Sequence, residues 1–577
     1  MKLLKRIALV VLAISGLWGC KKESVLSGDT QSDIFDKDVW TDSVRTTQIL
    51  TSIYADLGPE SFTTRINTSN SLSEFSDESD ERWATTTTTP AGTFQKGNYS
   101  SSSLPDPFNN TWKNSYKSIR KANIFLSRVD ESPLSAATKK RMKAEARFLR
   151  SYYYHILMKH YGGVPLIDRV LTIDEDFNLP RNSYEACVNY LVRELEETAV
   201  DLQMEYTGTE AQNLGRITKG ACLALKARVL LFAASPLFNG GAADPNPVFG
   251  YPSEDKQRWT KAAEAAKAVI DLNYYSLVQG TGGDNSTAEG FYNVFLKRVN
   301  REMIFARLAG SNRTYESSHL PSSVGGAFHN SPNGDYVDTY PMRNGMPIDA
   351  PGSGYNPQNP YVNRDPRFYR SVIYNGGLWL SPATNTKQPI YTYLNAPNDG
   401  FSIPFIAPGT QTGYYNRKMM SEDVTGTTGG TEHFFPFLRY AEILLNYAEA
   451  LNESGKTMEA YEPMREIRDR AGLNPAALPS GLTMEQMRKF IRDERRIELA
   501  YEDHRFWDIR RWKIGASTYG TVLKGIKIIK IANNTYSYEK VNLAKPASVF
   551  IEPKMNLLPI PATQVNISDQ LIQNPGW

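Results

Sequence analysis

Apolar residues recur along this chain at helical spacing, in segments that come in pairs. Segments 38–57 and 108–129 form one pair, 138–161 and 183–202 a second, 218–234 and 259–272 a third, and 437–452 with 458–471 a fourth. Within 138–161, Ala144, Phe148, Tyr152 and Ile156 fall every four residues and share one helix face. Gly162-Gly163-Val164-Pro165 then closes the segment with glycine followed by proline. The run from Ala221 to Ala234 is apolar almost all round, which predicts a central, buried helix. In the fourth pair Leu438, Ala441, Leu445 and Ala448 line one face, and Gly455 makes the turn. The fold class predicted is all-α, a scaffold of about four antiparallel helix pairs.

With Ala, Leu and Tyr at their contacts the pairs resemble tetratricopeptide repeats, although only the fourth approaches the compact repeat of about 34 residues. The others carry insertions. Helical period fades in residues 281–432, where Gly, Pro, Asn, Ser and Tyr dominate and the turn dipeptides Asn333-Gly334, Asn344-Gly345 and Asn375-Gly376 recur. A second loop-rich stretch, 58–106, interrupts the first pair and holds a threonine run before Pro90 and the serines at 100–103. Loops of this length usually carry a task, and loops on a rigid scaffold commonly hold ligand contacts. The ligand surface is therefore expected in these insertions.

The N-terminus has its own pattern. Lys2, Lys5 and Arg6 precede an apolar run from Ile7 to Leu17, and Trp18-Gly19-Cys20 follows. A positive head, a short apolar core and a small residue before the cut make a secretory signal, too short to span a bilayer as a stable helix. Cysteine directly after that small residue marks the lipoprotein form of the signal, with Cys20 acylated as the new N-terminus. The bulky Trp18 is a departure from that pattern. Domain boundaries follow: signal peptide 1–19, lipidated flexible tether 20–32, a helical region 33–280 with its inserted loop, and a second region 281–577. That second region divides into loop-rich 281–432, helical 433–515 and an extension 516–577. No later window is apolar enough to cross a membrane.

Charge narrows the function classes. With 65 basic and 62 acidic residues the net charge is +3, a near balance that argues against nucleic acid as partner. Besides Cys20 only Cys187 and Cys222 remain. Both fall in helical patterns, where cysteine acts as a small apolar residue; a disulfide between them stays open, and neither has metal-ligand spacing.

Several ordered motifs then point to a family. Ala144-Glu145-Ala146-Arg147-Phe148-Leu149-Arg150 running on to Gly162-Gly163-Val164-Pro165-Leu166 is the first, and Arg216-Ile217-Thr218-Lys219-Gly220-Ala221 the second. Arg439-Tyr440-Ala441-Glu442-Ile443-Leu444-Leu445-Asn446-Tyr447-Ala448-Glu449-Ala450 is a third. Arg492-Asp493-Glu494-Arg495-Arg496-Ile497-Glu498-Leu499-Ala500 with His504-Arg505-Phe506-Trp507-Asp508 follows, and Leu558-Pro559-Ile560-Pro561 with Gln573-Asn574-Pro575-Gly576-Trp577 comes last. In these motifs the chain resembles the SusD/RagB family of nutrient-binding lipoproteins of Bacteroidetes. The resemblance implies a tetratricopeptide-like scaffold with ligand loops inserted in it. It also implies an outer-membrane, cell-surface location and a partner, a SusC-like TonB-dependent transporter over which the lipoprotein sits as a hinged lid. Oligosaccharide is the implied ligand, with peptide as the alternative.

Nothing in the sequence requires catalysis, a cofactor or a metal. The six histidines show no metal spacing, and no nucleophile elbow, phosphate loop or dinucleotide fingerprint stands in a suitable context. The acidic cluster Glu74, Asp77, Glu78, Asp80 and Glu81 could in principle supply the two carboxyls of a surface glycoside hydrolase, but reads better as a solvated loop or as a source of hydrogen bonds to sugar hydroxyls. The charged run 492–511 reads as scaffold, with Arg495 and Glu498, Glu502 and Arg505, and Asp508 and Arg511 each three apart and able to pair along a helix surface. Sugar capture needs aromatic faces and planar hydrogen-bonding forks. Aromatics in polar loops are the candidates, Trp83, Tyr315 and Trp379, with Asn67, Asp80 and Arg343 as polar partners.

Overall fold

The computed structural model describes residues 36–57, 71–81, 89–206, 213–242, 244–402, 407–532 and 534–577. Among the described residues, ten helices of eight residues or more carry the fold: α1 (Ser43–Ala55), α2 (Thr111–Arg128), α3 (Ala136–Tyr161), α4 (Tyr184–Val200), α5 (Lys219–Ala234), α6 (Gln257–Ile270), α7 (Tyr440–Glu453), α8 (Tyr461–Arg470), α9 (Met484–Glu498) and α10 (His504–Arg511). Side-chain caps fix several starts. Asp42, Ser135, Ser183 and Thr218 each accept a backbone N–H of the first turn, and Thr483 and Gln486 form a reciprocal capping box.

The predicted all-α scaffold is present, and its packing is continuous rather than strictly pairwise. α2 packs on α3, α3 on α4, α4 on α5, α5 on α6 and α6 on α7, while α7 also meets α8 and α9. The central helix is α5, where Ala221, Cys222, Ala224, Leu225 and Leu231 are all at most 1% exposed. Cys187 and Cys222 are buried free thiols, so the disulfide left open by the sequence is absent. Gly162 ends α3 at φ +85°, and a Cβ there would lie 2.6 Å from the carbonyl oxygen of Val248, so only glycine fits.

Two-stranded pairs serve the loops: β1 (Ser79–Glu81) with β3 (Asn330–Pro332), β2 (Met303–Asn312) with β8 (Thr431–Arg439), β4 (Val372–Ile373) with β7 (Tyr415–Asn416), β5 (Leu378–Leu380) with β6 (Lys387–Pro389), and β9 (Lys524–Ala532) with β10 (Thr535–Asn542), all antiparallel. The fourth helix pair thus begins later than expected. Phe437 and Leu438 belong to β8, whose buried run from His433 to Arg439 is strand, and the helix starts at Tyr440.

The charged run 492–511 is scaffold, but not a solvated surface. Only Asp508 and Arg511 pair as the three-residue spacing proposed, at 2.7 Å. α9 ends at Glu498, and Tyr501 and Asp503 take left-handed φ of 61° and 64°, which sends the two halves in different directions. Glu498 meets Arg439 at 2.8 Å, Arg367 at 2.9 Å and Arg470, all buried. Glu502 meets Arg439 at 2.6 Å and Lys418 at 2.7 Å, and Glu302 meets Arg439 and Arg470 at 2.7 Å each. Burial alone would raise the pKa of Glu498, yet Arg470, Arg439 and Arg367 hold its carboxyl well below the usual range. This ionic core joins β8, α8, α9 and the loop at Asp365–Arg367.

Residues 557–577 clasp the early helices. The buried Arg181 donates from Nε to the Gly163 carbonyl at 2.7 Å, and from Nη1 to the Ile572 carbonyl at 2.7 Å and Asn574 Oδ1 at 2.9 Å. Leu558 N–H donates to the His160 carbonyl at 2.8 Å, and Trp577 packs 5.1 Å from Tyr99. The Gly162-Gly163 and Gln573-Asn574 motifs are therefore two halves of one joint.

Candidate ligand-binding surface

Of the sequence candidates, Asp80 falls inside a seam. Segment 71–81 is buried throughout, wedged between β3, residues 410–416 and the segment around Lys545. Asn330 Nδ2 donates to Ser71 and Ser73 Oγ at 3.0 and 2.9 Å, and Tyr519 OH to the Phe75 carbonyl at 2.7 Å. Asp80 is wholly buried, paired with Lys545, and accepts from Gln411 Nε2 at 2.6 Å.

The acidic cluster is thus no solvated loop. Asp77 meets Arg496 and Arg505 at 2.7 Å each, and these cations overcome the opposing effect of burial to hold its carboxyl well below the usual range. Glu78 goes the other way: burial, reinforced by the charge of Asp77, pushes it up to about 8, and its Oε1 has no hydrogen-bond partner among the described residues. One ionised and one protonated carboxyl suggest an acid–base couple. Substrate cannot reach it, because the two side chains are 6% and 1% exposed. The cluster therefore anchors the inserted loop and gives the hydrolase reading no reachable pair.

Tyr315 is 7% exposed, stacked edge-on to His319 at 4.5 Å, with its hydroxyl accepting from Asn416 Nδ2 at 3.1 Å. Trp379 was expected as an exposed platform; it is fully buried in β5, donates Nε1–H to the Val424 carbonyl at 3.0 Å and has Arg417 5.4 Å from its ring. The reason is strand alternation: Leu378 faces out at 51% exposure and Trp379 faces in. Asp80, Tyr315 and Trp379 thus present no face to a ligand in this conformation. Arg343 is exposed on the turn at 342–346, held by backbone bonds to Asn363 and Asn474, and does not join the other three. Trp83, Asn67 and Cys20 lie outside the described residues.

What does face solvent is a row of tyrosines that sequence reasoning missed. Tyr391 and Tyr393 stand on one side of an extended segment, with Thr392 turned inward and its N–H donating to Asn375 Oδ1 at 3.0 Å. Leu394 N–H donates to the Ile528 carbonyl at 2.7 Å and locks the segment to β9. On the neighbouring hairpin Tyr536 is directly opposite Lys530, and Tyr538 opposite Ile528. Ring centroids are 5.8 Å apart for Tyr391 and Tyr393, and 5.9 Å for Tyr393 and Tyr536 at an interplanar angle of 30°. Lys530 Nζ lies 5.3 Å from the Tyr393 ring.

Tyr538 roots the row, packed edge-on to the buried Tyr361 at 5.5 Å; Tyr538, Tyr536 and Tyr393 are partly exposed, and Tyr391 is 37% exposed. Gln388, Asn395 and Asn398 are exposed close by in sequence. Aromatic faces held rigid, with phenol hydroxyls, an ammonium and amides at the edge, can stack on a sugar ring and bond its hydroxyls. The signal was present in sequence: Tyr391-Thr392-Tyr393 and Tyr536-Ser537-Tyr538 are period-two aromatics among polar residues, a strand pattern with one aromatic face.

Comparison with known proteins adds a consistent picture. A family model described as the SusD family matches residues 299–577, and one described as starch-binding and associating with the outer membrane matches residues 29–231. SusD-like protein P2 of Formosa agariphila is 26% identical over 493 residues, covering 81% of this chain and 80% of the relative. SusD-like protein P38 of the same organism is 24% identical over 483 residues, covering 75% and 80%. Among solved structures, a SusD-like protein from Bacteroides fragilis superposes with a TM-score of 0.76 at 26% identity, covering 94% of this chain and 99% of that one. A laminarin-binding SusD-like protein, 19% identical, shares the fold with a TM-score of 0.61 over 93% of this chain and 100% of its own.

Proposed function

Because the chain belongs to the SusD/RagB family, we propose that it captures oligosaccharides at the cell surface and delivers them to a SusC-like TonB-dependent transporter in the outer membrane. Acylation of Cys20 would supply the anchor, with residues 20–32 as its tether. The single observation that carries the ligand assignment is the partly exposed row Tyr391, Tyr393 and Tyr536, an aromatic strip flanked by Lys530. The name of the laminarin-binding relative supports a glycan over other nutrients. Trp83 and Asn67, in the loop-rich stretch 58–106, are proposed as further contacts, and Arg343 as a peripheral one.

Isothermal titration of the protein with a panel of neutral oligosaccharides and short peptides tests this. Binding without product is expected. Tyr393→Ala should weaken it by about 1–3 kcal/mol, because it removes the central ring of the strip. Affinity for peptides alone would move the assignment to peptide uptake, and product formation would make the protein a hydrolase. Unchanged affinity in Tyr393→Ala and Tyr536→Ala would remove the strip from the site.

A further inference from the structure

A cleft of about 530 Å³ opens between the end of α5, the start of α6, α7, α9 and the residues just past α10, and it shares no lining residue with the tyrosine strip. Its charges are unevenly satisfied. Glu449 accepts both Arg511 Nη atoms at 2.5 and 2.7 Å and Trp512 Nε1 at 2.7 Å. Burial works against its charge, but Arg511 brings its pKa down to about 2. Glu453 takes a two-pronged bond from Arg488, both prongs at 2.6 Å. These two carboxylates are committed.

Arg492 is not. Its guanidinium lies 4.6 Å from the Trp512 ring, as does that of Arg511, and among the described residues none of its N–H groups meets an acceptor. It is only partly exposed, so water cannot solvate it fully. Lys513, exposed, uses one Nζ donor on the Gly241 carbonyl at 2.8 Å. Two cations with open donors therefore face one cleft. The acid without an ion pair there is Glu254, exposed on the rim.

A planar guanidinium with unmet donors matches a carboxylate in two-pronged geometry, and the neighbouring ammonium adds charge. The remaining polar lining offers an acceptor for hydroxyls. Trp259 and Trp512 are 6% and 4% exposed, so neither ring offers a slot for a peptide side chain, whereas Glu254 can accept from sugar hydroxyls. We infer that this cleft is a second saccharide site, selective for the carboxylate of a uronic acid residue through Arg492 and Lys513. It goes beyond the strip reading and does not depend on it.

Titration with digalacturonate, with the neutral galactose disaccharide and with a short acidic peptide tests the assignment. Digalacturonate should bind, the neutral sugar at least tenfold more weakly, and added salt should weaken the acidic sugar further. Arg492→Gln and Lys513→Gln should each cost at least tenfold for digalacturonate. Lys513 is exposed, so its variant keeps the test decisive should loss of the Trp512 contact unfold Arg492→Gln. The inference is overturned by no binding of digalacturonate, by equal affinity for both sugars, by the peptide binding more tightly, or by unchanged affinity in a folded variant. Loss of digalacturonate binding in Tyr393→Ala would place it on the strip instead.

Discussion

Glu78 shows how far a single residue's chemistry depends on partners distant in sequence. In the sequence it stands among acids and reads as solvated; in the fold it is 1% exposed beside the ionised Asp77. Its carboxyl titrates near 4.5 when unfolded and at about 8 in the fold. Between those values the folded chain holds a proton that the unfolded chain has released, so this carboxyl's own contribution to stability is full below about pH 4.5 and is lost as pH rises toward 8. Glu78→Gln should remove that loss: its denaturation midpoint should match the parent near pH 5 and exceed it near pH 8.5, by an amount of order a few kcal/mol at most. An identical pH dependence in both proteins would mean Glu78 stays ionised. Trp379 teaches the same lesson for aromatics. A three-residue strand is too short to reveal its alternation, so the polar run before it suggested exposure where the pleat imposes burial.

At the scale of elements, helices were legible because 3.6-residue periodicity is local. The apolar run 221–234 became the central helix, and Gly162 became a helix end for the reason its sequence context implied. The boundary at Tyr440 was misplaced because a buried strand and a buried helix both read as continuous apolar residues. Pairing of charges was not legible at all. Glu498 bonds Arg367, Arg439 and Arg470, separated from it by 131, 59 and 28 residues, and helical spacing is silent about such partners. Glu498→Ala would leave three buried guanidiniums facing one another, and a loss of about 3–5 kcal/mol is expected in denaturant titration. A loss below about 1 kcal/mol would show that water fills the gap and that the core is wetter than its burial indicates.

For the whole molecule, the scaffold class and the family were legible in the sequence, while the exposed surface depended on tertiary packing. Residues 391–393 and 536–538 form one strip only because Leu394 is bonded to Ile528 across the fold. The clasp at Arg181 is a second such product. Arg181→Ala leaves four acceptors without their donor, and about 2–4 kcal/mol of stability should be lost, with faster proteolytic cleavage within 557–577. Unchanged cleavage would assign the clasp to the Trp577 contacts instead.

The clasp also sets a clock. Arg181 and Ile572 lie 391 residues apart, and a ribosome adding roughly 5–20 residues per second needs about 20–80 s to make the stretch between them. Throughout that interval α3 can form, yet the carbonyls of His160, Tyr161 and Gly163 and the faces that receive 557–577 stay open. A newborn chain thus carries a long-lived sticky edge that only its own late-made residues can cover. Chains halted by a premature stop near residue 555 would keep that edge for life, which makes them natural prey for chaperones and proteases before they could compete with intact copies.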